Sequence, residues 1–471
     1  MSSTTRPSPS RSPRRRTLLF GLGGIALLIT LFLGLNQLQR HLTQRKIDAK
    51  LAAIRAQGLP VSLAELNAFY PAVPDADNAA LILDQVSRHI VNWPYYDPLI
   101  GISSNSVLYA TNPITPAVQA ALSDLIRSNQ TALKLIYDAT TRTQFRYPLD
   151  LAKHSPLPTE HWGEMKKLVQ LLRLESLHHL ASGSKADALR SVEASLFVTR
   201  SLDGEPLLAS YLVQYACLGI SLTGLEQLLQ RTVFTAAELE RLQELIAPME
   251  DRLDLPRILH GLRAQAIATW HEPVVARHAN SHAFVATPFD YWPSFVRAHG
   301  WRIYEQSGHK EADLLNFLHL CEELLALAQE PPATALLNGK KLENRLYAWG
   351  KPSFDMINTT AMSYPLVRVF PKQAGMLATL RNAQTALAVE RFRLENHRLP
   401  STLGELIPHY LAKAPMDSFN EQPLLYRITE KGFRIYSTGE NGKDDGGLTR
   451  AEKSYPENDD MVFAVERIPT K

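Results

Sequence analysis

Cysteine is almost absent from this chain: 471 residues hold two, Cys217 and Cys321. That excludes a disulfide framework. Both fall in apolar helical patterns, so buried thiols are expected, with one oxidised pair as the alternative. Net charge is also sparse, +3 at pH 7. The first 16 residues carry five arginines and no acid, leaving the remainder slightly acidic overall. No diffuse basic field is left for nucleic acid, and no nucleic-acid partner is expected.

The common catalytic fingerprints are missing too. No G-x-x-x-x-G-K-[ST] loop, G-x-G-x-x-G or G-x-S-x-G occurs, which removes the usual signatures of nucleotide, dinucleotide and serine-hydrolase sites. Ser182-Gly183-Ser184-Lys185 fits S-x-x-K, but it lies in a helix–helix turn without a following S-D-N or K-T-G, and is read as chance. His271, Glu272, His278 and His282 have spacings a zinc ion could use. Pro273 interrupts any helix there and H-E-x-x-H is absent, so no metal is assigned. His178-His179 and His319-x-x-Glu322 fall on helices and read as surface or satisfied core groups. No catalytic residue and no catalytic cofactor is assigned.

What is present begins with a long apolar run. Thr17–Leu35 is nineteen residues without a charge, directly after Arg14-Arg15-Arg16. About 20 apolar residues cross a bilayer core as a helix. The run exceeds a usual signal-peptide core and no A-x-A-like cleavage site follows, so it reads as a single-pass signal anchor. The arginines favour a cytoplasmic N-terminus, with the bulk of the chain on the periplasmic side of an inner membrane. Arg40, Arg45, Lys46 and Lys50 on the far side weaken that orientation signal. Arg15-Arg16-Thr17-Leu18-Leu19 also has the look of a twin-arginine export signal, which would place the chain on the same side.

Residues 36–165 read as a helical stalk ending at Gly58, then mixed helices and loops, including Ser62…Glu65 as a capping box and a helix over Pro116–Thr140. Residues 166–350 read as a helical bundle or solenoid-like body. Its clearest helices are Leu168–Ala181, Lys185–Leu202, Leu207–Leu229 and one opened by Thr235…Glu238. Leu207–Leu225 has no charge over nineteen residues, so it is either a buried core helix or a second membrane span. An aromatic excursion, 269–304, either packs its rings on the body or offers them to a partner or ligand.

From Ala374 a long helix runs to Asn396, then Thr402…Glu405 opens a short one. Pro423–Ile428, Gly432–Ser437 and Met461–Val465 read as strands, with the acidic, glycine-rich "TGENGKDDGG" after the second. This order resembles the C-terminal half of the type II secretion major pseudopilin. The matching pieces are Asn396-His397-Arg398-Leu399-Pro400, Ala414-Pro415-Met416-Asp417, Tyr426 and Ser437-Thr438-Gly439-Glu440-Asn441-Gly442, about 75 residues in all. The resemblance implies a small α+β head over 374–471 and a structural calcium ion held by Asp444, Asp445, Asp459 and Asp460. Against it, Glu440-Asn441 departs from the family's loop pattern, and a solvated turn without metal is the competing expectation. The G-F-T-L-x-E motif of such proteins does not open the apolar run, so fibre assembly is not expected.

The expected fold class is therefore mainly α: an N-terminal transmembrane helix, a bundle or solenoid-like body and a small C-terminal α+β module. The expected function is that of a membrane-anchored scaffold or interaction protein of an export or envelope assembly, with a protein partner. The alternative is an anchored hydrolase or ligand sensor with its site near 269–304.

Overall fold

A computed structural model of the chain describes residues 13–94, 100, 114–153, 160–271, 300, 302–347, 356, 359–360, 363, 366–449, 452 and 460–467. Most of the aromatic excursion lies outside these residues, with Glu272, His278 and His282. The elements through the first half are α1 (Pro13–Ala56), α2 (Leu63–Phe69), α3 (Ala80–Val86), α4 (Pro116–Ser128), α5 (Gln130–Ala139), α6 (Glu160–Ala181) and α7 (Lys185–Arg200). There follow α8 (Leu208–Arg231), α9 (Ala236–Asp251), α10 (Leu255–His271), α11 (His309–Leu327), α12 (Pro332–Tyr347) and α13 (Val369–Asn396). Strands β1 (Leu425–Thr429), β2 (Gly432–Ser437) and β3 (Met461–Glu466) complete a mainly helical fold with one small sheet.

The chain divides into two compact units. The first draws on Met1–Gln57, Ser281–Leu320 and Trp349–Met362. Its α1 is one uninterrupted helix, and the chain leaves it at Gly58, whose φ of 73° is the left-handed exit that glycine permits. Ile47 on α1 is buried, and Arg40 Nε donates to Glu311 Oε1 at 2.7 Å. The buried Asp313 receives Tyr304 OH at 2.8 Å, Thr359 N at 3.0 Å and Thr359 Oγ1 at 2.6 Å.

The second unit contains the helical body. α6, α7, α8 and α9 follow one another through short turns, and α6 packs on both α7 and α8. The leucine spacing explains why. Met165, Leu168, Val169, Leu171, Leu172, Leu174 and Leu177 leave α6 apolar on several sides, and all are fully buried. The expected box at α9 is complete: Glu238 N donates to Thr235 Oγ1 and Thr235 N to Glu238 Oε2. α8 is long and apolar enough to cross a membrane by length and composition. It packs against α6, α7, α13 and β3, and two of its buried polar groups are bonded within the unit: Ser221 to Thr199 at 3.0 Å, Gln214 to Asp203 at 2.5 Å. Both cysteines are free and buried, and burial pushes each thiol up to about 12.

Two local expectations are corrected. The single helix over Pro116–Thr140 is broken at Asn129, whose Nδ2 donates to Val91 O while its Oδ1 accepts from Val91 N. A buried amide serving a segment 38 residues away outweighs helix continuity. At Thr402 no side-chain cap forms; Glu405 instead accepts from Ser401 N and pairs with Arg398 at 2.5 Å, over a single 3-10 turn, Leu403–Leu406.

The C-terminal elements belong to the same unit as the helical body. α13 packs along α8, α9 and α12 and beneath the sheet. The sheet is antiparallel in the order β1-β2-β3, with Arg427 opposite Arg434 and Arg434 opposite Ala464. β3 is an edge strand, and edge strands offer unpaired backbone groups to other chains. Here α8 closes that edge. Glu226 Oε1 accepts from Ala464 N at 2.6 Å, and Gln230 Nε2 donates to Ala464 O at 2.9 Å. Four residues apart, the two side chains share one helix face and imitate one rung of a neighbouring strand.

Burial, and after it the nearby Glu466, pushes the Glu226 carboxyl up to about 7, although the Ala464 N–H opposes the rise. The folded state then holds a proton that the unfolded chain releases near pH 4.5, so this group's contribution is full below that pH and is lost as pH rises through 7. A difference of that size corresponds to about 3 kcal/mol. Glu226→Gln keeps the acceptor and removes the titration. The variant should match the parent near pH 4.5 and be the more stable above pH 7 in thermal melts; identical pH profiles would refute the assignment.

Candidate functional site: the acidic glycine loop

The loop that follows β2 is anchored at its start by Asp417, a fully buried carboxylate. Its Oδ1 accepts from Ser437 Oγ at 2.7 Å and from Phe419 N at 3.0 Å. Oδ2 accepts from Thr438 N at 2.9 Å and Thr438 Oγ1 at 3.1 Å. Four bonds on one carboxylate fix where the chain leaves the sheet. Beyond it Gly439, Gly442, Gly446 and Gly447 all have positive φ, so the loop follows a path closed to most side chains. At Gly447 a Cβ would also meet the Tyr436 ring at 2.7 Å.

Three of the four candidate aspartates are brought together here; Asp459 lies outside the described residues. Asp444 Oδ1 accepts from Gly446 N at 2.9 Å and from Tyr436 OH at 3.2 Å. Asp445 Oδ2 accepts from Asn441 Nδ2 at 2.9 Å. Asp460, buried just before β3, accepts from Gly447 N at 2.8 Å. Burial holds the Asp460 carboxyl above its ordinary range. The Gly447 and Asp445 N–H groups oppose that rise, and the charges of Asp445 and Asp444 reinforce it. Burial likewise pushes the Tyr436 phenol up to about 12, with Asp444 adding to it.

Two arginines that sequence reasoning did not single out complete the site. Arg427 Nη1 donates to Gly446 O at 3.1 Å, and Arg434 Nη1 to Gly447 O at 2.9 Å. Arg434 also makes a two-pronged pair with Glu466 (Nε–Oε1 2.8 Å, Nη2–Oε2 3.2 Å) and donates to Glu452 Oε1 at 3.0 Å. Arg368 clasps Glu440 with both amino groups, at 2.7 and 3.1 Å.

The described donors do not fit a calcium ion. Ca²⁺ wants six to eight oxygens turned to one centre. Here the carbonyls of the glycine pair point to guanidinium groups, whose charge would repel a second cation. Among the described residues no group of three or more His, Cys, Asp or Glu side chains is placed to hold a metal.

The other sequence candidates are structural in their surroundings. Lys185 bonds Val233 O and Glu238, away from Ser182; His179 approaches Glu175 at 3.7 Å, and His178 lies 3.4 Å from Ser123 Oγ. A half-open cleft of about 240 Å³ lies between the start of α9 and the end of α13, lined by Arg391, Leu394, Glu395, His409, Tyr410 and Ala236. Its polar groups are already paired: Tyr410 OH donates to Glu395, and Arg391 reaches Glu240 and Gln243. A fully buried carboxylate of the body, Glu205, was missed by sequence reasoning. It sits in the turn between α7 and α8, where it receives Trp162 Nε1 at 2.9 Å and Ser210 Oγ, and lies 3.1 Å from His161 Nε2. No protein-family model, no curated protein and no solved structure matches the chain.

Proposed function

We propose that the chain is a single-pass, membrane-anchored scaffold or interaction protein with its bulk outside the cytoplasm, carrying a pseudopilin-like module on a helical body. The observation that carries the anchor is the bare apolar surface of α1. Ile25, Leu27, Leu28, Leu31, Phe32 and Leu35 are 55–70% exposed, on a helix whose start carries three consecutive arginines. An apolar patch of that extent is costly in water and is satisfied in lipid. Binding is favoured over catalysis because the buried polar groups, from Glu205 to Asp417, act as ties between elements.

A reporter fused after Lys471 tests the topology. An enzyme active only outside the cytoplasm should be active there, and the chain should stay with the membrane after an alkaline wash. Activity of a cytoplasm-only reporter, or release by the wash, would sink the proposal. Crosslinking from the C-terminal module in intact cells should then recover the same partner repeatedly.

A further inference from the structure

The glycine loop contains its own cations. We propose that Arg434, assisted by Arg427, is an internal ionic lock that closes residues 438–449 onto the sheet in the place where a divalent ion would otherwise serve.

Arg434 sits at the centre of β2, the middle strand, and only 9% of its surface is exposed. A buried guanidinium persists only where its donors and charge are met. It is met from three directions: Glu466 from the neighbouring strand, Glu452 from beyond the loop and the Gly447 carbonyl from within it. The fork of five donors on Arg serves such divergent acceptors, whereas a lysine ammonium would not span them. Bonding to Glu466 raises the Arg434 guanidinium further above its ordinary value, against the effect of burial. The Glu452 carboxyl lies at about 2; burial opposes that fall, and bonds from Arg434 and Thr449 produce it.

Arg427 lies directly across the ladder from Arg434, and its guanidinium reaches the adjacent carbonyl, Gly446 O. Successive carbonyls of one turn are thus each taken by a fixed cation. Asp444 and Asp460 close the same turn from the other side by accepting the Gly446 and Gly447 N–H groups. Acceptors to the arginines and donors to the aspartates leave both glycine peptides bonded on each side. The loop is held without an added ion, and its order depends on the arginines.

The test uses the purified full chain. With millimolar CaCl₂ against EGTA, the melting midpoint and the exchange of loop amides should be unchanged. Arg434→Met should speed amide exchange across residues 439–447 by about tenfold or more, the loss expected for charge-assisted bonds, while α6–α8 remain protected. Arg427→Ala, at an exposed position, opens the same amides to a smaller degree and keeps the test available if the first variant fails to fold. A calcium-dependent midpoint in the parent chain, or loop exchange indifferent to both substitutions, would overturn the proposal.

Discussion

Glu205→Ala should lower the melting midpoint of the full chain by roughly 3–5 °C, one of the two largest single-residue effects expected in this protein. Glu205 is fully buried, and its two oxygens serve Trp162 Nε1, Ser210 Oγ and His161 Nε2. Truncation leaves two buried donors and the imidazole nitrogen without their acceptor, and adds a void where the carboxyl was. Removing one member of a buried charged network costs about 3–5 kcal/mol, because the remaining groups stay desolvated. His161 lies against the Tyr147 ring with 4.6 Å between centroids, so it has little room to turn toward a new partner. Glu205→Gln keeps the volume and one accepting oxygen, and should lose about half as much. A midpoint for Glu205→Ala within a degree or two of the parent would show that water or a rearranged turn replaces the carboxylate.

The second large effect is expected at Gly261, and its sign separates two arguments. Mid-helix glycine is worse than alanine by about 1 kcal/mol, so helix propensity alone predicts that Gly261→Ala stabilises α10. A Cβ at that position would lie 1.8 Å from Pro206 O and 2.9 Å from Pro206 C. Those are backbone atoms, so no rotamer change relieves the clash, and α10 must back away from the turn. Overpacking of this kind costs about 3 kcal/mol or more, which exceeds the propensity gain. Thermal melts should show a destabilised variant; a higher midpoint would mean that the turn moves freely. Pro206 follows Glu205 directly, so both substitutions strike the turn between α7 and α8, and their double variant should lose less than the sum.

That turn shows where sequence reasoning stopped. "DGEP" lies between one helix and the next, and its residue types are those of an ordinary connection. Nothing in the four letters reveals that three helices converge on it, because His161, Ser210 and Gly261 reach it from different elements. Arg434 was hidden for a related reason. Between Phe433 and Ile435 it falls on the alternate face of a strand, where solvent is the normal expectation. The returning loop covers that face, and only Glu452, Glu466 and Gly447 O, 13 to 32 residues away, make burial tolerable. The acidic loop itself was legible after the second strand. Which cation its turn would meet was not, since the arginine partners lie on other strands.

What the sequence determined by itself is local. The helical body's periodic leucines, the capping pair Thr235–Glu238, the stop at Gly183 and the three strand segments were all readable. Each rests on groups within a few residues of one another, where backbone geometry and side-chain period dominate. Tertiary structure alone decided the break at Asn129, the closure of the β3 edge by Glu226 and Gln230, the hub at Glu205 and the lock at Arg434. Each of these matches a buried polar group to a distant acceptor or donor. The energy of leaving such a group unmatched is large, but its partner is chosen by how the elements pack, and composition and spacing carry no record of that choice.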